Sequence, residues 1–170
     1  MKNTKIYAFI DSNNLYQGVK KNIPKYKYIG WEIDLKKFLV YLRNKYKVQK
    51  AFLFIGYIKK NKRMYTNLKN YGYTLIFKPT ITYKEDRGKR KIKGNIDAEL
   101  VLHTMIEINN FDKAIIVSGD GDYRCLIEYL VEKKKLKNIF IPNQKSYSSL
   151  LIPYREYMIF MNQLREKLKA

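Results

Sequence analysis

Four aspartates sit where an α/β chain could bring them together: Asp11 in "FIDSNN", Asp97 in "GNIDAEL", and Asp120 and Asp122 in "SGDGDY". Carboxylates crowded within several ångströms raise one another's pKa unless a cation neutralises them, and an oxygen-only cluster suits Mg²⁺ or Mn²⁺. A metal held that way can polarise a phosphate and activate a water for in-line attack. Hydrolysis of a phosphodiester is the simplest reaction such a cluster would serve. Each aspartate also has an architectural reading. Asp11 could cap a helix, Asp122 could cap another with Asp120 in the preceding turn, and Asp97 could complement a helix dipole. One Cys (Cys125) and one His (His103) cannot build a zinc site of the usual nitrogen and sulfur ligands.

The elements that would carry these residues are legible as alternating patterns. Five nearly continuous apolar runs read as strands: residues 5–10, 51–57, 73–78, 113–118 and 138–141. Continuous rather than alternating runs suit a parallel sheet buried on both faces. Between them lie helical spacings. Asp34 can cap "LKKFLVYLRNKY", where Leu35, Phe38, Leu39 and Leu42 form one stripe. Residues 61–71, 95–110 and 122–135 read as further helices, the last with Tyr123, Leu126, Ile127 and Leu130 facing inward. The segment from 146 to the end reads as one or two short helices interrupted by Pro153. Alternation with right-handed crossovers predicts a three-layer α/β/α sandwich. In such a sheet ligands bind beyond the carboxyl ends of the strands, where Asp11 and Asp120 end theirs and where the first turn of the Asp97 helix returns. The chain is expected to form one domain over 1–170, with a core over about 5–142 and a C-terminal helical extension over about 146–170.

Charge points to the partner. The chain has 35 Lys and Arg against 15 Asp and Glu, a formal +20, which favours a polyanion whose counterions the cations would displace. The segment from Thr80 to Asn95, "TITYKEDRGKRKIKGN", breaks the alternation and reads as an extended hairpin or a loop. Its Lys84, Arg87, Lys89, Arg90, Lys91 and Lys93, together with Arg124, are the candidate nucleic-acid contacts. Many of the 16 tyrosines adjoin lysines, a pairing suited to stacking on unpaired bases. No apolar run reaches the length of a membrane span, the leader is too short for a signal peptide, and a single Cys suits a reducing cytoplasm. Aromatic residues in the C-terminal segment would allow a homodimer.

Three motifs resemble the NYN domains, the LabA-like branch of the PIN-like nucleases. "FIDSNNLY" is similar to their opening strand, which ends Asp-Gly-any-Asn; Asp11 and Asn14 match, and Ser12 replaces the glycine. "KGNIDAELVLHTM" resembles the central helix through Lys93, Gly94 and Asp97, and "IIVSGDGDYRCLIEYL" resembles the most specific motif through Ser118, Gly119, Asp120 and Asp122. The resemblance implies a mainly parallel five-stranded Rossmann-like sheet of order 3-2-1-4-5 and a metal-dependent ribonuclease. It implies Asp11, Asp97, Asp120 and Asp122 as metal ligands, directly or through water, with Asn14 and Ser118 orienting ligands or a phosphate. Many relatives carry a second acidic residue about six positions after the helix aspartate, where this chain has His103. That histidine would serve as a supporting donor or a phosphate contact, or as an ordinary helix residue. A module that binds RNA or regulates without cutting is the competing expectation.

Overall fold

A computed structural model describes residues 4–78 and 97–170, together with the backbone of 81–84 and 90–93. Six strands form one parallel sheet: β1 (Ile6–Asp11), β2 (Val48–Gly56), β3 (Thr74–Lys78), β6 (Lys113–Val117), β7 (Leu136–Ile141) and β8 (Met158–Phe160). Two further strands, β4 (Ile81–Lys84) and β5 (Arg90–Lys93), pair with each other as an antiparallel hairpin. The sheet order is β3-β2-β1-β6-β7-β8. Leaving the hairpin aside, this is 3-2-1-4-5-6, the expected five-stranded core with one edge strand added.

The centre of the sheet follows from sequence. All six residues of β1 are buried, because β2 and β6 flank it and helices cover both faces. One face packs under α1 (Ser12–Lys20), α2 (Leu35–Tyr46) and α3 (Lys62–Tyr71), through Leu15, Val19, Phe38, Leu42 and Leu68. The other packs under α4 (Asp97–Ile106) and α5 (Arg124–Glu132), through Leu100, Tyr123, Ile127 and Leu130. Asp34 caps α2 as expected, accepting the Lys37 N–H at 3.0 Å. Gly72 closes α3 with φ of +108°, a left-handed conformation that favours glycine. An alanine there would also crowd the Arg43 guanidinium, which donates to the Tyr71 and Gly72 carbonyls at 3.4 and 3.3 Å.

Two differences from the sequence reading have plain causes. Ser12 to Lys20 is helical, although its start is hidden in the polar "DSNN". The C-terminal segment is not only helical. Ser149–Tyr157 is a 3₁₀ segment kinked at Tyr154, Met158–Phe160 adds β8 beside β7, and a single turn, α6 (Arg165–Leu168), follows. Its buried Leu151, Met161 and Leu168 belong to the two cores, and Tyr147, Tyr154, Tyr157 and Phe160 are half-buried against one of them. In the basic segment the hairpin reading holds, with Lys84 opposite Arg90, Tyr83 opposite Lys91 and Ile81 opposite Lys93. Arg87 and Lys89 lie outside the described residues.

Candidate functional site

Sheet order reverses between β1 and β6, and the chain leaves each of these strands at its carboxyl end on an aspartate turn. β1 ends on Asp11, which is 4% exposed. Its Oδ1 accepts the Asn14 N–H at 2.9 Å, capping α1, so the architectural reading of this residue is correct as far as it goes. β6 runs into Ser118, Gly119 and Asp120. The Ser118 Oγ accepts the Asp120 N–H at 3.1 Å, and the Asp120 Oδ1 accepts the Asp122 N–H at 3.1 Å. Asp120, rather than Asp122, therefore caps the 3₁₀ turn Gly121–Tyr123 that leads into α5.

Asp97 arrives from a third segment at the first turn of α4. One carboxylate oxygen each from Asp97, Asp120 and Asp122 lies within 4.8 Å of the others. Asp97 and Asp120 are half-buried and Asp122 is exposed. Three hard oxygen donors so close are the kind of set that Mg²⁺ or Mn²⁺ takes. His103 stays apart. Its ring tilts against Phe54 of β2, 5.7 Å between centroids, so it packs as a helix residue.

Asp11 lies outside that trio but is tied to it by a residue that sequence reading assigned only to the core. The Tyr123 hydroxyl lies 3.0 Å from Asp11 Oδ2 and 2.9 Å from Asp97 Oδ1, with its ring wholly buried. Burial first, then the charges of Asp11 and Asp97, push the Tyr123 phenol far above its ordinary value, so it stays a neutral donor. Burial likewise raises the Asp11 carboxyl, against the lowering effect of the Asn14 N–H and the Tyr123 hydroxyl. A phenol has one proton and can donate to one carboxylate at a time. The hint in the sequence was position: Tyr123 follows directly on "SGDGD".

Asn14 holds the two turns together. Its Oδ1 accepts the Gly119 N–H at 2.8 Å across 105 residues of chain. Gly119 and Gly121 are packed from the other side by Tyr147 and Ser148, and a methyl group on Gly121 would overlap the Ser148 Oγ. The hollow lined by Asn14, Gly119 to Asp122 and Ser146 to Ser148 has a volume of about 360 Å³. Asn14→Ala would orphan a buried N–H at the start of the "GDGD" turn. We expect a loss of roughly 1–2 kcal/mol, read as a fall of about 2–8 °C in Tm. Asn14→Asp, which keeps the acceptor, should recover most of it. Equal melting of Asn14→Ala and wild type would show that this bond does not hold the turns.

Arg124 sits just past the turn on α5, exposed, and meets Glu128 at 3.4 Å, a surface pair of small worth. The backbone of Lys84, Arg90, Lys91 and Lys93 follows the hairpin that immediately precedes α4 in the chain.

An open parallel sheet with acidic side chains gathered at its switch point accords with the PIN-like class to which NYN domains belong. Within that class the chain belongs to the NYN domain family, whose model matches residues 5–162. It is similar to the low amplitude and bright protein LabA of Synechococcus elongatus, 28% identical over 137 residues that cover 77% of this chain and 70% of that one. Its fold is also that of a crystallised protein of unknown function from Vibrio parahaemolyticus, with a TM-score of 0.76 at 18% identity over 100% of this chain and 99% of that one.

Proposed function

We propose that the protein is a Mg²⁺- or Mn²⁺-dependent endoribonuclease of the cytoplasm. The observation that carries this reading is the meeting of Asp97, Asp120 and Asp122 oxygens within 4.8 Å at the switch point of a strongly basic chain. These three carboxylates would hold the metal. A divalent cation there supplies polarisation of a phosphate oxygen and a water acidic enough to attack phosphorus. Asp11 does its part from behind: through the Tyr123 hydroxyl it fixes the Asp97 carboxylate. Asn14 and Ser118 set the turn that presents Asp120 and Asp122. The cations of the 80–95 segment and Arg124 grip the strand through its phosphates, which positions the substrate without reading its sequence.

The test is incubation of purified protein with labelled single-stranded RNA in Mg²⁺, Mn²⁺ or EDTA. Internal cleavage with either metal and none in EDTA is expected. Binding in EDTA should weaken with salt, log K falling by about 0.7 per log unit of salt for each phosphate engaged. RNA left intact under every metal condition would sink the catalytic reading.

One observation favours a second reading, a module that binds RNA without cutting it. With His103 against Phe54, no fourth acid comes from the second turn of α4 to extend the cluster.

A further inference from the structure

A second and larger hollow, of about 490 Å³, opens on the α1–α3 face of the sheet at the carboxyl ends of β2 and β3, the edge where β1 ends on Asp11. Its walls come from the ends of β2 and β3 and from α1, α2 and α3, and they are mostly apolar. Ile55, Ile58 and Met64 supply aliphatic and thioether surface, and Tyr16 and Tyr65 supply rings. Tyr65 is held rigidly: its hydroxyl accepts the Ile58 N–H at 2.8 Å and donates to the Gly56 carbonyl at 3.1 Å, and its ring packs on Phe77 and Tyr57. Tyr16 and Met64 are 46% and 40% exposed, large apolar groups left at the rim.

The polar groups of the hollow are few. Ser12, Asn13 and Asn61 offer a hydroxyl and two amides, the neutral donor and acceptor groups that match base edges. Lys78 adds a cation. Its Nζ lies 3.2 Å from Glu99 of α4, two residues beyond Asp97, so it stands between the hollow and the helix that carries a cluster aspartate. The two hollows also meet in sequence: Ser12 and Asn13 line the apolar one, Asn14 the acidic one, all within the first turn of α1.

We infer that this hollow receives one unpaired nucleobase of the RNA strand, from the nucleotide adjoining the phosphate at the carboxylate cluster. The inference rests on the nuclease reading and gives it a substrate class. A base paired within a duplex cannot leave its stack to enter a pocket without the cost of unpairing, so the enzyme selects single-stranded RNA. A charge of +20 far exceeds what a free metabolite would need, while apolar walls alone would not hold a phosphate. A base joined to its own backbone uses both. Rings and a thioether suit this occupant because stacking and sulfur contacts tolerate any base.

The test uses a short single-stranded RNA in which each nucleotide in turn is made abasic, with wild type and two variants. Met64→Trp fills the hollow from its exposed rim, and Tyr16→Ala removes a ring from it. Neither touches the carboxylates, and Mn²⁺ affinity by calorimetry together with Tm checks that both fold. For wild type, one abasic position next to the cut should lower cleavage and binding about tenfold, the lower range for a stacked base. Met64→Trp should lose a similar factor on intact RNA and show no further loss at that abasic position. Tyr16→Ala should behave the same way to a smaller degree. Blunt duplex RNA should be cut at least tenfold more slowly than the single strand.

A flat abasic scan, or a Met64→Trp protein as sensitive to the scan as wild type, overturns the inference. So does competition by free mononucleotides combined with a flat scan, which would make the hollow a small-molecule site. Binding in EDTA is scanned in parallel. If the protein cuts nothing, the nuclease reading fails by itself, and an abasic-sensitive binding position erased by Met64→Trp still upholds the base pocket.

Discussion

Asp120→Asn should abolish metal-dependent RNA cleavage, by at least about 10²-fold, the scale on which a preorganised charge at a reacting phosphate operates. The amide retains the oxygen that accepts the Asp122 N–H, so the turn into α5 should keep its shape. What is lost is one negative charge of the three whose oxygens lie within 4.8 Å. The variant should therefore melt within a degree or two of wild type, hold RNA as tightly or slightly more tightly through lost repulsion, and bind Mn²⁺ more weakly by calorimetry. Turnover would fall without affinity for RNA, the mark of an interaction used in the transition state. Cleavage by Asp120→Asn at the wild-type rate would mean that the acidic trio does not cut. If wild type also leaves RNA intact while both proteins bind it, the binding module becomes the better account.

Tyr123→Phe should have the second-largest effect, and on two quantities at once. The phenyl ring fits the same buried space, so packing against Leu126, Ile127 and Leu130 is conserved. The hydroxyl is not. Asp11 Oδ2 loses its partner in a site where the residue is only 4% exposed, and an orphaned buried acceptor costs about 1–3 kcal/mol. At roughly 2–4 °C per kcal/mol for a chain of this size, the loss is readable by thermal melting without metal. Asp97 shares that one hydroxyl proton with Asp11, so a carboxylate of the trio loses a positioning contact and Mn²⁺ affinity should drop about 10–100-fold, as for other groups that support metal ligands. Saturating Mn²⁺ should then restore part of the lost stability, because binding to the folded state alone stabilises it. A Tyr123→Phe protein with unchanged Mn²⁺ affinity would show that the phenol serves only the core.

The two halves of this site were unequally legible. The strands that end on Asp11 and Asp120 are continuous apolar runs, and a run of that kind signals a doubly covered strand whatever its neighbours are. The crossover rule then places Asp97 at the same edge from sequence alone. Tyr123 escaped because its ring does what helix spacing says it should; only the hydroxyl, at the far end of a wholly buried side chain, meets the acids. Strand β8 escaped because three residues between a kinked 3₁₀ segment and another turn carry too little periodicity to register. The apolar hollow escaped for a different reason. Its lining comes from five separate stretches, each of which reads alone as ordinary helix or strand surface.

The bonds that join Asp11 to Tyr123 and Asn14 to Gly119 span 112 and 105 residues. During synthesis, the first strand and its carboxylate must wait for two-thirds of the chain before their partners exist, and such distant pairings are the slow ones in folding. The positive charge, by contrast, is spread along the chain and is present from the start. On the proposed reading, a growing or partly unfolded chain would carry the charge that attracts RNA well before it has an acidic site to cut it, since that site forms only with the closing of β1 against β6.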